Sequence, residues 1–278
     1  MTLEARLALG HALISDASRI VIEAYAEADL SVSSKGPGDL VTATDFAVER
    51  MVREAIGAAF PADSIFGEEL GGKAVADGYT WLIDPVDGTV NFARRLGYFC
   101  ISIALLQDRR PVAAWILDPL NGELFHAGAD RAVKLNGNAV SAAQTSRMED
   151  AVIGLGFSRR HDPALHGATV AAVVGAGAEH RRLGAGALCL AHVAAGRLDG
   201  YLEPHMNPWD AVGGLYLAAC AGAVTGDYIG MDGLSHGAPV YAAVPALSNQ
   251  LLAALPAPFS GTPLHRENEQ RSAGEVAS

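Results

Sequence analysis

The chain of 278 residues is half apolar and only 6% aromatic, which allows a substantial core built from Ala, Val, Leu and Ile. Its formal net charge of −11 argues against a nucleic-acid backbone binder, whose affinity rests on clustered Lys and Arg, and an anionic ligand would need bound cations to reverse the local field. Three scattered cysteines without CxxC spacing (Cys100, Cys189, Cys220), no evident signal peptide and no apolar run of the roughly 18–20 residues that span a membrane together predict a soluble cytoplasmic protein with reduced thiols.

Leu3, Leu7, Leu13, Ile14, Ala17, Ile20, Val21 and Ala24 recur near helical spacing and predict a long amphipathic helix over 3–28. The polar, Gly- and Pro-bearing segment 31–38 predicts a loop or hairpin carrying Lys35. Residues 39–45 read as a short strand entering a helix over 46–59, with Thr44 or Asp45 as its cap. Ile65-Phe66-Gly67-Glu68-Glu69 reads as a strand ending in two acids. Gly67 to Lys73 has the spacing of a nucleotide phosphate loop, but Ala74 replaces the required Ser or Thr and two glutamates would repel phosphate, so that reading fails.

The stretch Trp81-Leu82-Ile83-Asp84-Pro85-Val86-Asp87-Gly88-Thr89 dominates the chain. Its apolar start predicts a buried strand that Pro85 stops, leaving Asp84 at the strand end. Gly88 permits backbone angles closed to other residues, and the N–H groups of Gly88, Thr89 and Val90 open a helix that suits an anion. Asp84 and Asp87 then share one small space. At about 5 Å and an effective dielectric of about 20 they repel by roughly 3 kcal/mol. No Lys or Arg lies inside this stretch before Arg94, so the natural counter-charge is a hard divalent cation. An Asp-rich turn with no ligand is the other reading, since Asp, Pro and Gly are ordinary turn residues.

Beyond it, β-rich runs at 98–106, 112–118 and 123–127, with the hairpin signal Asn121-Gly122, predict an antiparallel meander. From about residue 150, strands at 152–157, 181–183 and 199–203 alternate with helices over 164–174, 186–196 and 209–221. Gly175-Ala-Gly177 and Gly184-Ala-Gly186 do not complete a dinucleotide fingerprint, and Gly156-Phe157-Ser158-Arg159-Arg160 lacks the second glycine of a nucleophile elbow. Pro208-Trp209-Asp210 places an acid in a helix's first turn, where a carboxylate is already favoured. With no linker between the halves, a single domain over 1–263 is expected, with lobes of about 1–145 and 146–263 and a disordered tail over 264–278.

Asp84-Pro85-Val86-Asp87-Gly88-Thr89 resembles the first signature of the inositol monophosphatase family of magnesium-dependent, lithium-sensitive phosphatases. Gly67-Glu68-Glu69 upstream and Trp209-Asp210 downstream stand in the family's order and approximate spacing. The resemblance implies an α+β fold, a layered α/β/α/β/α sandwich of the inositol monophosphatase and fructose-1,6-bisphosphatase type, and a homodimer. It implies about two to three Mg²⁺ ions per site. Glu68, Asp84 and the Val86 carbonyl would hold the first, and Asp84, Asp87 and Asp210 the second, with a weaker ion near Glu68.

By the same resemblance Thr89 and Asp45 orient a water, and the N–H groups of Gly88 and Thr89 hold phosphate oxygens. The Ala185-Gly186 backbone lines the substrate pocket, Glu203 accepts hydrogen bonds from ring hydroxyls, and Lys35 and Glu69 are minor participants. A helix cap for Asp45, exposed glutamates at 68 and 69, and an uninvolved strand-end Glu203 are the alternatives. The implied reaction is hydrolysis of a small sugar or polyol phosphate, foremost inositol 1-phosphate, by metal-activated water. Relatives act on histidinol phosphate, fructose 1,6-bisphosphate or 3′-phosphoadenosine phosphate, and a regulatory binding protein that retains the fold is a further alternative. The chain departs from the pattern at Cys220-Ala221-Gly222-Ala223, where a glycine pair is usual.

Overall fold

A computed structural model of the chain describes residues 2–27, 30, 32–36 and 39–265. The side chain of Lys35 and the polar end from 266 onward lie outside the described residues. The helix α1 (Leu3–Ala26) is followed by the hairpin strands β1 (Ser33–Gly36) and β2 (Asp39–Val41), and then by α2 (Ala43–Ala59). Next come β3 (Ser64–Gly67), β4 (Gly71–Gly72), β5 (Tyr79–Asp87) and the short α3 (Thr89–Ala93). The expected meander is present as β6 (Cys100–Gln107), β7 (Arg110–Asp118) and β8 (Glu123–Ala127), continued by β9 (Lys134–Leu135) and β10 (Asn138–Ala139).

The second half contains β11 (Val152–Leu155), α4 (Pro163–Gly175), β12 (Glu179–Arg181), α5 (Gly186–Ala194), β13 (Gly200–Met206) and α6 (Pro208–Cys220). It ends with β14 (Val224–Gly226), α7 (Gly233–His236), β15 (Ala238–Ala243), α8 (Pro245–Ala254) and β16 (Leu264–His265). β16 pairs with β14, so residues 264 and 265 belong to a sheet and not to the expected tail.

The strands form two large sheets. One has eight strands in the order β10-β9-β8-β7-β6-β5-β3-β4, antiparallel except for β3 beside β5. The other has six in the order β12-β11-β13-β15-β14-β16, with β11 parallel to both of its neighbours. Period-two alternation divides the first sheet's side chains between two cores. Trp81, Ile83, Ile101, Ile103, Ala113 and Trp115 face α1 and α2, where Leu13, Ile14, Val21, Val48 and Val52 meet them. Gly10 allows α1 to lie on Trp115, whose ring would stand 2.4 Å from any Cβ there.

On the other face Leu82, Ala104, Ala114 and Ile116 pack on α5 and α6, which also cover the second sheet through Leu202, Val240 and Ala242. With α4 on β12 and α8, the layers run α/β/α/β/α. Among the described residues no helix is long and apolar enough to cross a membrane.

Pro85 does not stop β5. The strand continues to Asp87 through a bulge, since Asp84 pairs with Ser102 and Asp87 with Cys100. The imino residue sits where no ladder hydrogen bond is required. The bulge re-aims the strand's last residues and brings the following turn out of the sheet.

Candidate active site

Four segments converge at the end of β5. Glu68 follows β3 directly, and its N–H bonds the Ile83 carbonyl at 3.1 Å, which fixes it beside Asp84 on the neighbouring strand. Asp210 occupies the first turn of α6, where its carboxylate accepts from the Asn207 backbone N–H at 3.3 Å. Ligand oxygens of Glu68, Asp84 and Asp210 all lie within 4.8 Å of one another, with Asp84 buried and the other two half-buried. Asp84 Oδ1 also accepts from the Val86 N–H at 3.0 Å.

Such a cluster resists ionisation. Burial above all, then the charges of Glu68, Asp210 and Asp87, push the Asp84 carboxyl well up from its ordinary range. Burial and the Glu68 charge do the same to Asp210, which is hydrogen-bonded to Asp84. Among the described residues no Lys or Arg side chain forms a salt bridge to Asp84 or Asp210, so the compensation that acids of this kind require has to come from elsewhere. Three oxygen donors at this spacing, two of them held by backbone N–H groups, fit a hard divalent cation.

Asp87 has partners beyond those expected from the sequence. It lines the cavity beside Asp210, but its carboxylate is turned to the start of α5, accepting from Gly186 N at 3.2 Å and Ala187 N at 2.7 Å. The Cys100 thiol also reaches it at 3.6 Å. Burial raises its pKa to about 6 against the opposing pull of those N–H groups. Asp87 therefore ties the central turn to a helix about a hundred residues further along, a contact that local spacing does not disclose.

Gly88 has φ of 92° and caps α3. A Cβ there would come within 3.1–3.2 Å of Ala185 Cβ, the Gly184 carbonyl and the Tyr98 carbonyl, so glycine is needed both for the angle and for the approach to α5. The backbone of Ala185 and Gly186 is thereby brought beside Gly88. Thr89 donates its hydroxyl to the Val86 carbonyl at 3.0 Å, placing the water-orienting candidate against the carbonyl assigned to the first cation. Asn91 joins the same region, donating to the carbonyls of Tyr98 at 2.7 Å and Leu183 at 2.8 Å.

The helix after β2 starts earlier than expected, and its cap is Thr42 instead of Thr44 or Asp45. Asp45 is buried at the third helical position, accepting from the Thr42 N–H at 2.9 Å and hydroxyl at 2.5 Å. This is a structural anchorage that is compatible with a further role. Glu203 stands in β13, its Oε2 accepting from the Tyr201 hydroxyl at 2.5 Å, and burial lifts its pKa to about 7. Glu203, Asp87 and Asp210 line one cavity of about 310 Å³ together with Gly186.

Sequence reasoning missed Glu49. Fully buried in α2, it accepts from the backbone N–H groups of Glu69 at 2.8 Å and Leu70 at 3.1 Å and pairs with Arg53 at 2.8 Å. It holds the loop that carries Glu68 and half-buried Glu69. An acid on the same helical face as Val48, Val52 and Ile56 was the available signal. Glu49→Ala leaves two loop donors and a guanidinium unsatisfied, so we expect a loss of about 2–4 kcal/mol in urea unfolding. The affinity of the acidic cluster for a divalent cation, read by titration calorimetry, should fall in the same variant.

With this geometry in place, comparison with known proteins gives the same assignment. The model of the inositol monophosphatase family matches residues 3–257. The chain belongs to the inositol monophosphatase family. The Nus factor SuhB of Escherichia coli K12 is 34% identical over 220 residues, covering 77% of this chain and 82% of that protein. Inositol-1-monophosphatase of Rhizobium meliloti is 36% identical over 202 residues, covering 72% and 76%. The crystal structure of extragenic suppressor protein SuhB from Bartonella henselae superposes with a TM-score of 0.83 at 29% identity, covering 91% of this chain and 99% of that one. The layered α+β architecture is thus that of the inositol monophosphatase family.

Proposed function

We propose that this protein is a Mg²⁺-dependent phosphomonoesterase acting on a small sugar or polyol phosphate, with inositol 1-phosphate as the first substrate to test. The observation that carries the reading is the mutual approach, within 4.8 Å, of Glu68, Asp84 and Asp210 beside a cavity large enough for one small ester. Mg²⁺ ions held by Glu68, Asp84, the Val86 carbonyl, Asp210 and Asp87 would acidify a water and neutralise charge on the leaving oxygen. Thr89 and Asp45 orient that water, and the N–H groups of Gly88 and Thr89 receive phosphate oxygens. Glu203 and the Ala185-Gly186 backbone position the alcohol portion.

Phosphate release from a panel of phosphomonoesters, with Mg²⁺ and with a chelator, tests the activity. A folded protein inactive on every ester with Mg²⁺ would favour the second reading, a regulatory binding role, which the name Nus factor of several relatives supports. The proposal also takes the protein as a cytoplasmic homodimer, for which light scattering should give twice the chain mass.

Glu203→Gln separates recognition from chemistry. Loss of one charge-assisted hydrogen bond of about 1.5–3 kcal/mol lowers a specificity ratio by about 10- to 150-fold. The kcat/KM for inositol 1-phosphate relative to p-nitrophenyl phosphate, read at a pH above 7 so that the carboxylate is ionised, should fall within that range. Equal losses on both esters would place Glu203 in the chemical machinery instead.

A further inference from the structure

Glu203 is held in place by a neighbour on its own strand. Tyr201 and Glu203 stand two residues apart on β13, so their side chains leave the same face, about 7 Å from each other along the strand. A phenol spans that gap where a phenyl ring stops short. The Tyr201 hydroxyl donates to Glu203 Oε2 at 2.5 Å, and both residues line the cavity beside Asp87 and Asp210. A buried phenol needs some acceptor. Here the acceptor is a cavity carboxylate, and the bond occupies one of its two oxygens and fixes its orientation.

The surrounding backbone leaves room for this pair. Gly154 on β11 lies opposite Tyr201, and a Cβ there would meet Tyr201 Cδ2 at 2.9 Å. A Cβ at Gly156 would stand 2.1 Å from Glu203 Oε2 and 2.6 Å from the Tyr201 hydroxyl, and one at Gly186 would come within 2.9 Å of that hydroxyl. None of these three glycines has a positive φ, so what they supply is space and not a backbone angle. Burial, then the Glu203 charge, hold the Tyr201 hydroxyl well above its ordinary range, so it stays a donor. Burial lifts Glu203 to about 7, and the Tyr201 hydrogen bond is the strongest pull toward the charged form, ahead of the Arg182 charge and the Phe157 N–H.

Resting on the reading of Glu203 as the acceptor for the ester's alcohol portion, we propose that Tyr201 is a positioning residue for substrate recognition. Its hydroxyl occupies Oε2 and fixes the carboxylate, so that Oε1 is the oxygen offered to hydroxyl groups of the substrate. Tyr201 acts through Glu203 and takes no part in the hydrolytic step.

The test is a double-mutant cycle in the full-length, Mg²⁺-loaded protein, reading kcat/KM for inositol 1-phosphate and for p-nitrophenyl phosphate at a pH above 7, where Glu203 is ionised. Tyr201→Phe keeps the ring and loses the donor. The ratio of the two constants should fall about three- to tenfold, through KM for inositol 1-phosphate, while p-nitrophenyl phosphate hydrolysis changes by no more than about twofold. In Glu203→Gln the same substitution should lower the ratio by no more than about a further twofold, since the carboxylate it positions is gone. Gly156→Ala reaches the pair from the other side, displacing Oε2 with both partners intact, and should give the same selective loss. Should Tyr201→Phe not fold, Gly156→Ala decides alone. An unchanged ratio in the folded Tyr201→Phe protein, equal losses on both esters, or a full additional loss in the Glu203→Gln background would overturn the proposal, while continued hydrolysis of p-nitrophenyl phosphate keeps the phosphatase reading standing. A ratio that Glu203→Gln leaves unchanged would remove the recognition role of Glu203 and this inference with it. Hydrolysis of no ester by the folded protein would remove the phosphatase reading as well.

Discussion

Asp84→Asn should lower Mg²⁺-dependent phosphate release by about a thousandfold, corresponding to roughly 4 kcal/mol of transition-state stabilisation. The amide has nearly the volume of the carboxyl but cannot supply the negative charge that two cations would share. The metal-free fold should hardly notice. Burial and the charges of Glu68, Asp210 and Asp87 already favour the protonated, neutral form of Asp84 until a cation arrives, and an amide is close in shape to that form. In a chelator, the variant's melting temperature should therefore stay within a few degrees of wild type, about 1 kcal/mol at most. The increase that Mg²⁺ gives to wild type should vanish. Wild-type turnover in a folded variant would falsify the assignment of Asp84 as a ligand.

The second large effect is a pH-dependent stabilisation by Mg²⁺. Asp87 has its folded-state pKa raised from 3.8 to about 6, and Asp84 and Asp210 are raised as well. A carboxyl raised on folding adds no penalty below its unfolded pKa and progressively weakens the metal-free fold as pH climbs through the folded value. For Asp87 alone the shift corresponds to about 3 kcal/mol, as an order of magnitude. A cation bound by the ionised forms relieves that penalty, and it competes with protons at low pH. The rise in melting temperature produced by Mg²⁺ should accordingly be small at pH 5 and large at pH 8. His11, His126, His192 and His205, whose pKa values desolvation lowers, oppose this trend in absolute stability by disfavouring the fold in acid. They lie outside the proposed cation ligands, so their contribution largely cancels when curves with Mg²⁺ and with chelator are subtracted at each pH. A Mg²⁺ increment that is flat between pH 5 and pH 8 would contradict the coupling.

Much of this architecture was legible because its signals are local. The period of α1, the Asn-Gly turn of the meander and the Asp-Pro-Val-Asp-Gly-Thr run each fit within a few residues. Local reading failed where distant partners decide. Pro85 ends a strand by propensity, but pairing with β6 carries β5 through it on a bulge. The hydrogen bonds that the start of α5 gives to the Asp87 carboxylate join segments about a hundred residues apart, which no local spacing discloses. The cap of α2 moved to Thr42 because Asp45 turns back to bond it from inside the helix. Glu49 belongs to no motif, since its partners lie about twenty residues away in the loop after β3. The strands and helices after residue 223 had no motif to mark them, and the sheet that collects them is assembled by antiparallel pairing of β13, β14 and β15.

The most direct test of the metal centre is anomalous diffraction from crystals of the protein soaked in Mn²⁺, an oxygen-preferring surrogate for Mg²⁺. Anomalous peaks about 2–2.4 Å from carboxylate oxygens of Glu68, Asp84 and Asp210 are predicted, absent at the same position in Asp84→Asn crystals. A well-ordered wild-type crystal with no peak at these three residues would contradict the account.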